Sequence, residues 1–245
     1  MDRQYVYKYC SPTRSGIQSG RHPFHVNPLN AAPDIHNPLD PVSGFAAIPR
    51  NMTGIGTKMS AAGYKTFMAG KWDAGMATMD HTPRGRGYSQ SIHYFHHDND
   101  YWDSDTGTCD TKSIHDLWLN KDGREGPAST IANNCPWGAN PTEGMGSANY
   151  NYSYVVGKSC TLGPQGDRWW NGYEDSIFQQ HVLQFIEEST PSDPLFIFWA
   201  PHIVHTPLQV PEEYFRMFDF VEATDKATHE RQIYHAMVHF ADAVR

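Results

Sequence analysis

Apolar positions along the chain gather into a few short periodic segments separated by long aperiodic ones. The clearest helical pattern runs over Asp175–Glu188, where Ile177, Phe178, Val182, Phe185 and Ile186 recur at helical spacing with Glu187 and Glu188 on the exposed side. A second pattern predicts a helix from about Ala227 to Val244, with Ile233, Met237, Phe240, Ala241 and Val244 facing inward. On it, His229, His235 and His239 read as surface or packing residues. A shorter helix is predicted over Thr53–Ala62, with Ile55 and Met59 on one face and Gly63 as its stop. Lys65–Ala69 follows as a strand aimed at Lys71. Past the turn Pro191-Ser192-Asp193-Pro194, the continuous apolar run Leu195–Ala200 predicts a strand buried on both faces. Alternating helix, glycine and strand predict an α/β layer. Working residues in such sheets lie beyond the carboxyl ends of strands, where Lys71 and His205 both fall.

The first stretch with candidate chemistry is Tyr9–Gly16. Tyr5, Val6, Tyr7 and Tyr9 predict an extended lead, and Ser11-Pro12-Thr13 supplies a hydroxyl N-cap with proline in the first turn. Cys10 then sits at a helix N-terminus, where N–H groups and the dipole favour anions, and Arg14 one turn on can point back to the same spot. That shape suits a tetrahedral oxyanion. A buried structural cysteine at a helix start is the competing reading. A thiolate phosphatase loop is set aside, because only Ser11, Pro12 and Thr13 separate Cys10 from Arg14 and no glycine-rich cradle surrounds them.

The intervening segments carry less signal. Residues 21–50 are rich in His, Asn and Pro and read as an ordered loop. Residues 73–172 hold His93, His96, His97, Asp98, Asp100 and Asp103 among many aromatics. Their spacing matches no compact ligand pattern, so they read as surface or substrate-facing loop residues, with Trp102, Trp118, Trp169 and Trp170 as packing anchors. Neither an internal repeat nor a clean linker flanks this region, so 1–245 is expected to be part of one domain, with about 98–172 an irregular aromatic-rich insertion.

Composition narrows the class. At 245 residues, 39% hydrophobic and 19% charged, the chain can form a sizeable core. A net charge of -8 and pI near 5.9 leave no basic stripe for nucleic acid. An anionic substrate stays possible, since a local Arg/Lys cluster can reverse the field in a cleft. No apolar run reaches the length of a membrane span, and Met1-Asp2-Arg3-Gln4 lacks the apolar core of a signal peptide. Besides Cys10, Cys109, Cys135 and Cys160 could supply one disulfide in an oxidising compartment, with spacing unable to say which pair; no Cys-x-x-Cys supports zinc.

Four segments together carry a family resemblance. Cys10-Ser11-Pro12-Thr13-Arg14-Ser15 with Gly20-Arg21 resembles the segment that type I sulfatases have converted to formylglycine. Ala61-Ala62-Gly63-Tyr64-Lys65-Thr66 and Met68-Ala69-Gly70-Lys71-Trp72 resemble that family's active-site lysine segment, and Pro83-Arg84-Gly85-Arg86-Gly87-Tyr88 the Arg-Gly segment after it. Phe198–Leu208 resembles the later strand ending in the active-site histidine, here His205. The order and rough spacing agree with the arylsulfatase group. The resemblance implies an alkaline-phosphatase-like fold, with a mostly parallel sheet flanked by helices, incomplete here at both ends.

The resemblance also implies a chemistry. Cys10, oxidised by a formylglycine-generating enzyme, hydrates to a gem-diol that takes sulfate from an aryl or carbohydrate ester; Arg14 holds the diol, Lys71 the sulfate oxygens, and His205 sits at the sulfate or leaving-group oxygen. The family's calcium polarises the sulfate. Asn51-Met52-Thr53 and Asn151-Tyr152-Ser153 are glycosylation sequons, which with the family favour a secretory, lysosomal or extracellular parent. Two departures stand out. The family has histidine two residues after the lysine, where this chain has Asp73, which could accept the diol proton or act as a structural partner to Lys71 or Arg14. The family's paired calcium carboxylates and a second lysine have no counterpart between Met1 and Arg245, leaving residue 10 alone of the metal shell. The expectation is an internal portion of a sulfatase, inactive by itself; the alternative is a sulfatase-like pseudoenzyme that binds sulfated glycans.

Overall fold

The computed structural model describes residues 5–29, 47–102, 104–109, 112–128, 156–157 and 173–243. They fall into two compact units: Met1–His97, Asp116–Pro127 and His181–Ala200 form the first, and Asp98–His115, Ala128–Gln180 and Pro201–Arg245 the second.

The first unit is built on a five-stranded sheet. Strands β1 (Lys65–Lys71), β2 (Gln90–Tyr94), β5 (Trp118–Lys121), β6 (Arg124–Pro127) and β8 (Leu195–Ala200) lie in the order β6-β5-β2-β1-β8. β1 runs parallel to both β2 and β8, and β5 and β6 add an antiparallel hairpin. The hairpin turns through Asp122 (φ 53°) and Gly123 (φ 75°), both in the left-handed region that a tight two-residue turn demands. β1, being central, is buried from Thr66 to Lys71. β8 differs from the expectation of burial on both faces: Leu195–Trp199 are half-buried and only Ala200 is buried, because β8 is an outer strand of this sheet.

The core of this unit gathers Ile48, Met68, Trp72, Ala74, Tyr88 and Phe95. Helix α1 (Cys10–Ser19) ends at Gly20 in the left-handed conformation, and α2 (Ile55–Ala61) precedes Gly63, which has φ 90° as its stop position requires. α2 lies tightly on the turn before β2: a Cβ at Gly56 would stand 2.6 Å from the carbonyl oxygen of Arg86. The Arg-Gly segment is thereby a packing device. Arg86 is buried and donates to the carbonyls of Met52 and Ile48.

Helix α3 (Glu174–Glu187) matches the strongest sequence pattern within one residue at each end. Its second half packs in the first unit, with Phe185 stacked on Phe67 at 4.7 Å between centroids. Ile186 points outward, contrary to its expected inward position.

In the second unit, β3 (Asp105–Cys109) and β4 (Lys112–His115) form an antiparallel hairpin, and β7 (Val156–Gly157) pairs with β9 (Val210–Pro211). Helices α4 (Glu212–Arg216) and α5 (Lys226–Ala243) follow. Ile233, Met237 and Phe240 are buried as expected, joined by Ala236. Phe240 meets Tyr173 and Tyr214 edge-on at 5.0 and 4.9 Å. His235 and His239 contact Phe218, and His229 contacts Phe215, so all three pack against aromatics. No helix among the described residues is long and apolar enough to cross a membrane.

Candidate active site

Four of the five candidate site residues lie in the first unit. Cys10 is the first residue of α1, half-buried, with Tyr9 in extended conformation as the cap. The expected serine cap is absent: the Ser11 hydroxyl is buried and donates 2.9 Å to Asp73 Oδ1, while Thr13 donates to the carbonyl of Tyr7. A hydroxyl inside the first turn cannot fold back on its own helix start as a cap does, so it is available to a distant partner. The nearby Arg21 side chain donates to the carbonyls of Ser19 and Thr53, tying the end of α1 to the approach to α2.

Arg14 reaches across to the end of β1, where its guanidinium donates to the carbonyl of Lys71. Lys71 is 2% exposed, its ammonium 3.5 Å from Asp73 Oδ2 and donating to the carbonyl of His97. Asp73 is fully buried and holds φ 46°, a left-handed backbone that a non-glycine residue adopts only when its surroundings impose it. Its second oxygen lies 2.9 Å from His97 Nδ1. The carboxylate therefore joins Ser11, Lys71 and His97 in one cluster.

The cluster is electrostatically ordered. The hydrogen bond to Asp73 is the largest influence on His97 and raises its pKa; burial and Lys71 oppose this, and the charge of Cys10 adds to it. Since an ionised carboxylate only accepts, His97 Nδ1 carries the hydrogen and Nε2 is the basic nitrogen of the neutral ring. Trp72, between Lys71 and Asp73, is buried and donates from its indole to the carbonyls of Gly75 and His81, both at 3.0 Å. This clamps the strand exit that aims the two charged side chains.

His205 belongs to the second unit. Its Nδ1 donates to the carbonyl of Thr206 at 2.8 Å, which leaves Nε2 as the basic nitrogen. Its backbone N–H donates to the carbonyl of His202, and the Tyr101 hydroxyl donates to its own carbonyl. Behind the turn lies a buried polar network that the sequence reading did not find. His202 Nδ1 pairs with Glu174 Oε2 at 2.9 Å, Asn99 donates to the other oxygen of Glu174, and Asp175 accepts from the backbone N–H groups of His202 and Ile203. Burial pushes Asp175 up to about 7 against the pull of His202. Tyr101 stacks on the His202 ring at 3.9 Å. The available signal was Glu174-Asp175 at a helix start, which reads equally well as a solvated first turn.

The residues of the His/Asp-rich stretch have separate local roles. His93 is buried and pushed down to about 3, with Glu125 at 3.8 Å. The backbone N–H groups of Phe95 and His96 are taken by Asp116. Asp98 and Asp100 fall in the second unit, and Asp103 lies outside the described residues. Trp118 packs on Phe95 and Trp102 on Tyr173, while Trp169 and Trp170 lie outside. Asn51 is exposed; Asn151, Cys135, Cys160 and the Cys109 side chain lie outside the described residues. Among the described residues no group of three His, Cys, Asp or Glu side chains could hold a metal ion. The donors among the described residues do not make a calcium shell of six or more oxygens.

An α/β sheet with a half-buried cysteine at a helix start and a buried lysine at a strand end defines a candidate oxyanion-handling scaffold. The profile of the Sulfatase family matches residues 2–244, and the chain belongs to that family. It is 24% identical over 220 residues to Arylsulfatase J of Mus musculus, covering 89% of this chain and 28% of that protein. Among solved structures it resembles Ps i-CgsB in complex with k-i-k-neocarrahexaose, with a TM-score of 0.63 at 18% identity, covering 96% of this chain and 42% of that one. The PsFucS1 sulfatase from Pseudoalteromonas sp. gives a TM-score of 0.54 at 12% identity, covering 98% and 42% respectively. This chain thus spans well under half the length of these relatives, and the structural likenesses speak to fold: a mostly parallel sheet flanked by helices, as the alkaline-phosphatase-like expectation had it.

Proposed function

We propose that the chain is part of the catalytic domain of a sulfatase that hydrolyses aryl or carbohydrate sulfate esters through a formylglycine made from Cys10. The observation that carries this reading is the convergence on one strand end of Cys10's helix, Arg14 and Lys71, with Arg14 donating to the Lys71 carbonyl. Once hydrated, the aldehyde supplies one hydroxyl to attack sulfur and a second to release sulfate. Arg14 holds that group and offsets its charge, and Lys71 serves the sulfate oxygens, both acting where charge develops. His205 is assigned the leaving-group proton on its motif alone, with Nδ1–H donating to the Thr206 carbonyl and Nε2 as the basic nitrogen. Calcium ligands are assigned to parts of the longer protein beyond this sequence, with position 10 as the ligand contributed here. The glycosylation sequons at Asn51 and Asn151 and a secretory route belong to the same proposal.

The test is co-expression of the 245-residue chain with a formylglycine-generating enzyme, followed by mass analysis of the Cys10 peptide and an aryl sulfate assay with calcium. Conversion at Cys10 without turnover is expected, since the chain carries no calcium shell among its described residues. Failure to convert sinks the formylglycine reading, and turnover by the chain alone sinks the assignment of the metal ligands elsewhere. Retention of a sulfated oligosaccharide without conversion, abolished by Arg14→Ala, would move the reading to a glycan-binding pseudoenzyme.

A further inference from the structure

We infer that His97 is the imidazole that serves the nucleophilic group at position 10, and that Asp73 is its positioning residue. Three contacts carry this. Asp73 Oδ2 lies 2.9 Å from His97 Nδ1, and Asp73 Oδ1 accepts at 2.9 Å from Ser11, the residue next to Cys10. Lys71, whose ammonium is 3.5 Å from the same carboxylate, also donates to the His97 carbonyl, so backbone and side chain of His97 are both held at the strand end. One buried carboxylate thus bridges the first turn of α1 and the imidazole.

The chemistry follows from the tautomer. With Nδ1–H donating to Asp73, Nε2 is the basic nitrogen, and the carboxylate stabilises the imidazolium formed when it takes a proton. Asp73, fully buried and already shared among Ser11, Lys71 and His97, is a fixed anchor, whereas the His97 side chain is 23% exposed and can exchange protons with solvent.

In sulfate release, which rests on the proposed function, the O–H bond of the second hydroxyl at position 10 breaks and its proton passes to His97 Nε2. The electron pair of that bond forms the carbonyl, the C–O bond to sulfate breaks, and its pair leaves on the sulfate dianion. The imidazolium then returns its proton to water. The proton task thereby falls to a residue far from Asp73 in sequence, and Asp73 keeps the part of orienting it.

The test uses the unconverted chain, so it reads the dyad whether or not formylglycine forms. Long-range ¹H–¹⁵N spectra, with His97 assigned by His97→Gln, are expected to show the Nδ1–H tautomer and its loss in Asp73→Asn. Alkylation of Cys10 by iodoacetamide at pH 7, followed on its own peptide, is expected to slow roughly 3–10-fold in His97→Gln, because a neighbouring imidazolium favours thiolate. His97→Gln keeps a half-exposed surface intact should Asp73→Asn unfold. An Nε2–H tautomer in the wild-type chain, or Cys10 alkylation unchanged in His97→Gln, overturns the inference. Failed conversion of Cys10 with both signals present would sink the formylglycine reading alone.

Discussion

Asp175→Asn should stabilise the protein at pH 8 relative to its effect at pH 5, by an amount the buried carboxylate sets. Asp175 is 1% exposed and accepts from the N–H groups of His202 and Ile203. Burial is the main cause that moves it from 3.8 to about 7, with the Glu174 charge adding and His202 and the two backbone donors opposing. A carboxyl whose folded pKa lies above its unfolded one binds more protons when folded, so its contribution is fully present below about 4 and is lost as pH rises through 7. With those two values, linkage gives roughly 3 kcal/mol of stability at pH 5 and almost none at pH 8. Asparagine cannot ionise but keeps one acceptor, so it turns an amide towards one backbone N–H at a cost of about 1–3 kcal/mol at either pH. Urea unfolding of both proteins at pH 5 and pH 8 separates the two effects, because every other titrating group is common to them. The variant's deficit should shrink by about 2–3 kcal/mol from pH 5 to pH 8. A deficit equal at the two pH values would refute the claim that Asp175 is held protonated by burial.

Two further outcomes test the packing around the site. Trp72→Phe removes the indole N–H and part of the ring volume at a fully buried position, stranding the carbonyls of Gly75 and His81 and opening a small cavity, so chemical denaturation should show a loss of about 2–4 kcal/mol, and no loss would mean that the core closes and those carbonyls find other donors. Gly87 and Gly63 share φ 90°, but a Cβ at Gly87 would stand 2.5 Å from Thr57 N whereas nothing lies within 4 Å at Gly63. Both alanine variants should carry about 1–2 kcal/mol of backbone strain, and Gly87→Ala about 1–3 kcal/mol more for displacing α2. Equal melting temperatures for the two variants would show that α2 yields freely.

Much of the fold was legible because its elements repeat a local period. α3, α5, β1 and β8 lie within two residues of their expected bounds, since a helix face or an apolar strand must show itself in residue spacing. The β5–β6 hairpin carried a local signal too, Asp122-Gly123, but its short strands alternate weakly and sat inside a region read as irregular. The helix cap misread at Ser11 has a different cause: a hydroxyl beside a helix start can cap it or leave it, and a buried carboxylate elsewhere in the fold drew this one away.

The sequence by itself determined the strongly periodic elements α3, α5, β1 and β8, the family, and the candidates Cys10, Arg14, Lys71 and His205, because those rest on neighbours in the chain. Only the tertiary structure decided what Asp73 does. β1 and β2 run parallel with Lys71 opposite Tyr94, so the residues just past both strands emerge at the same end and bring Asp73 to His97. The Glu174–His202 pair has the same origin, two side chains whose burial is tolerable only because each finds the other. Periodicity records which face of an element meets the core. Which buried polar group meets which is fixed by strand register and helix placement, and these exist only once the chain has folded.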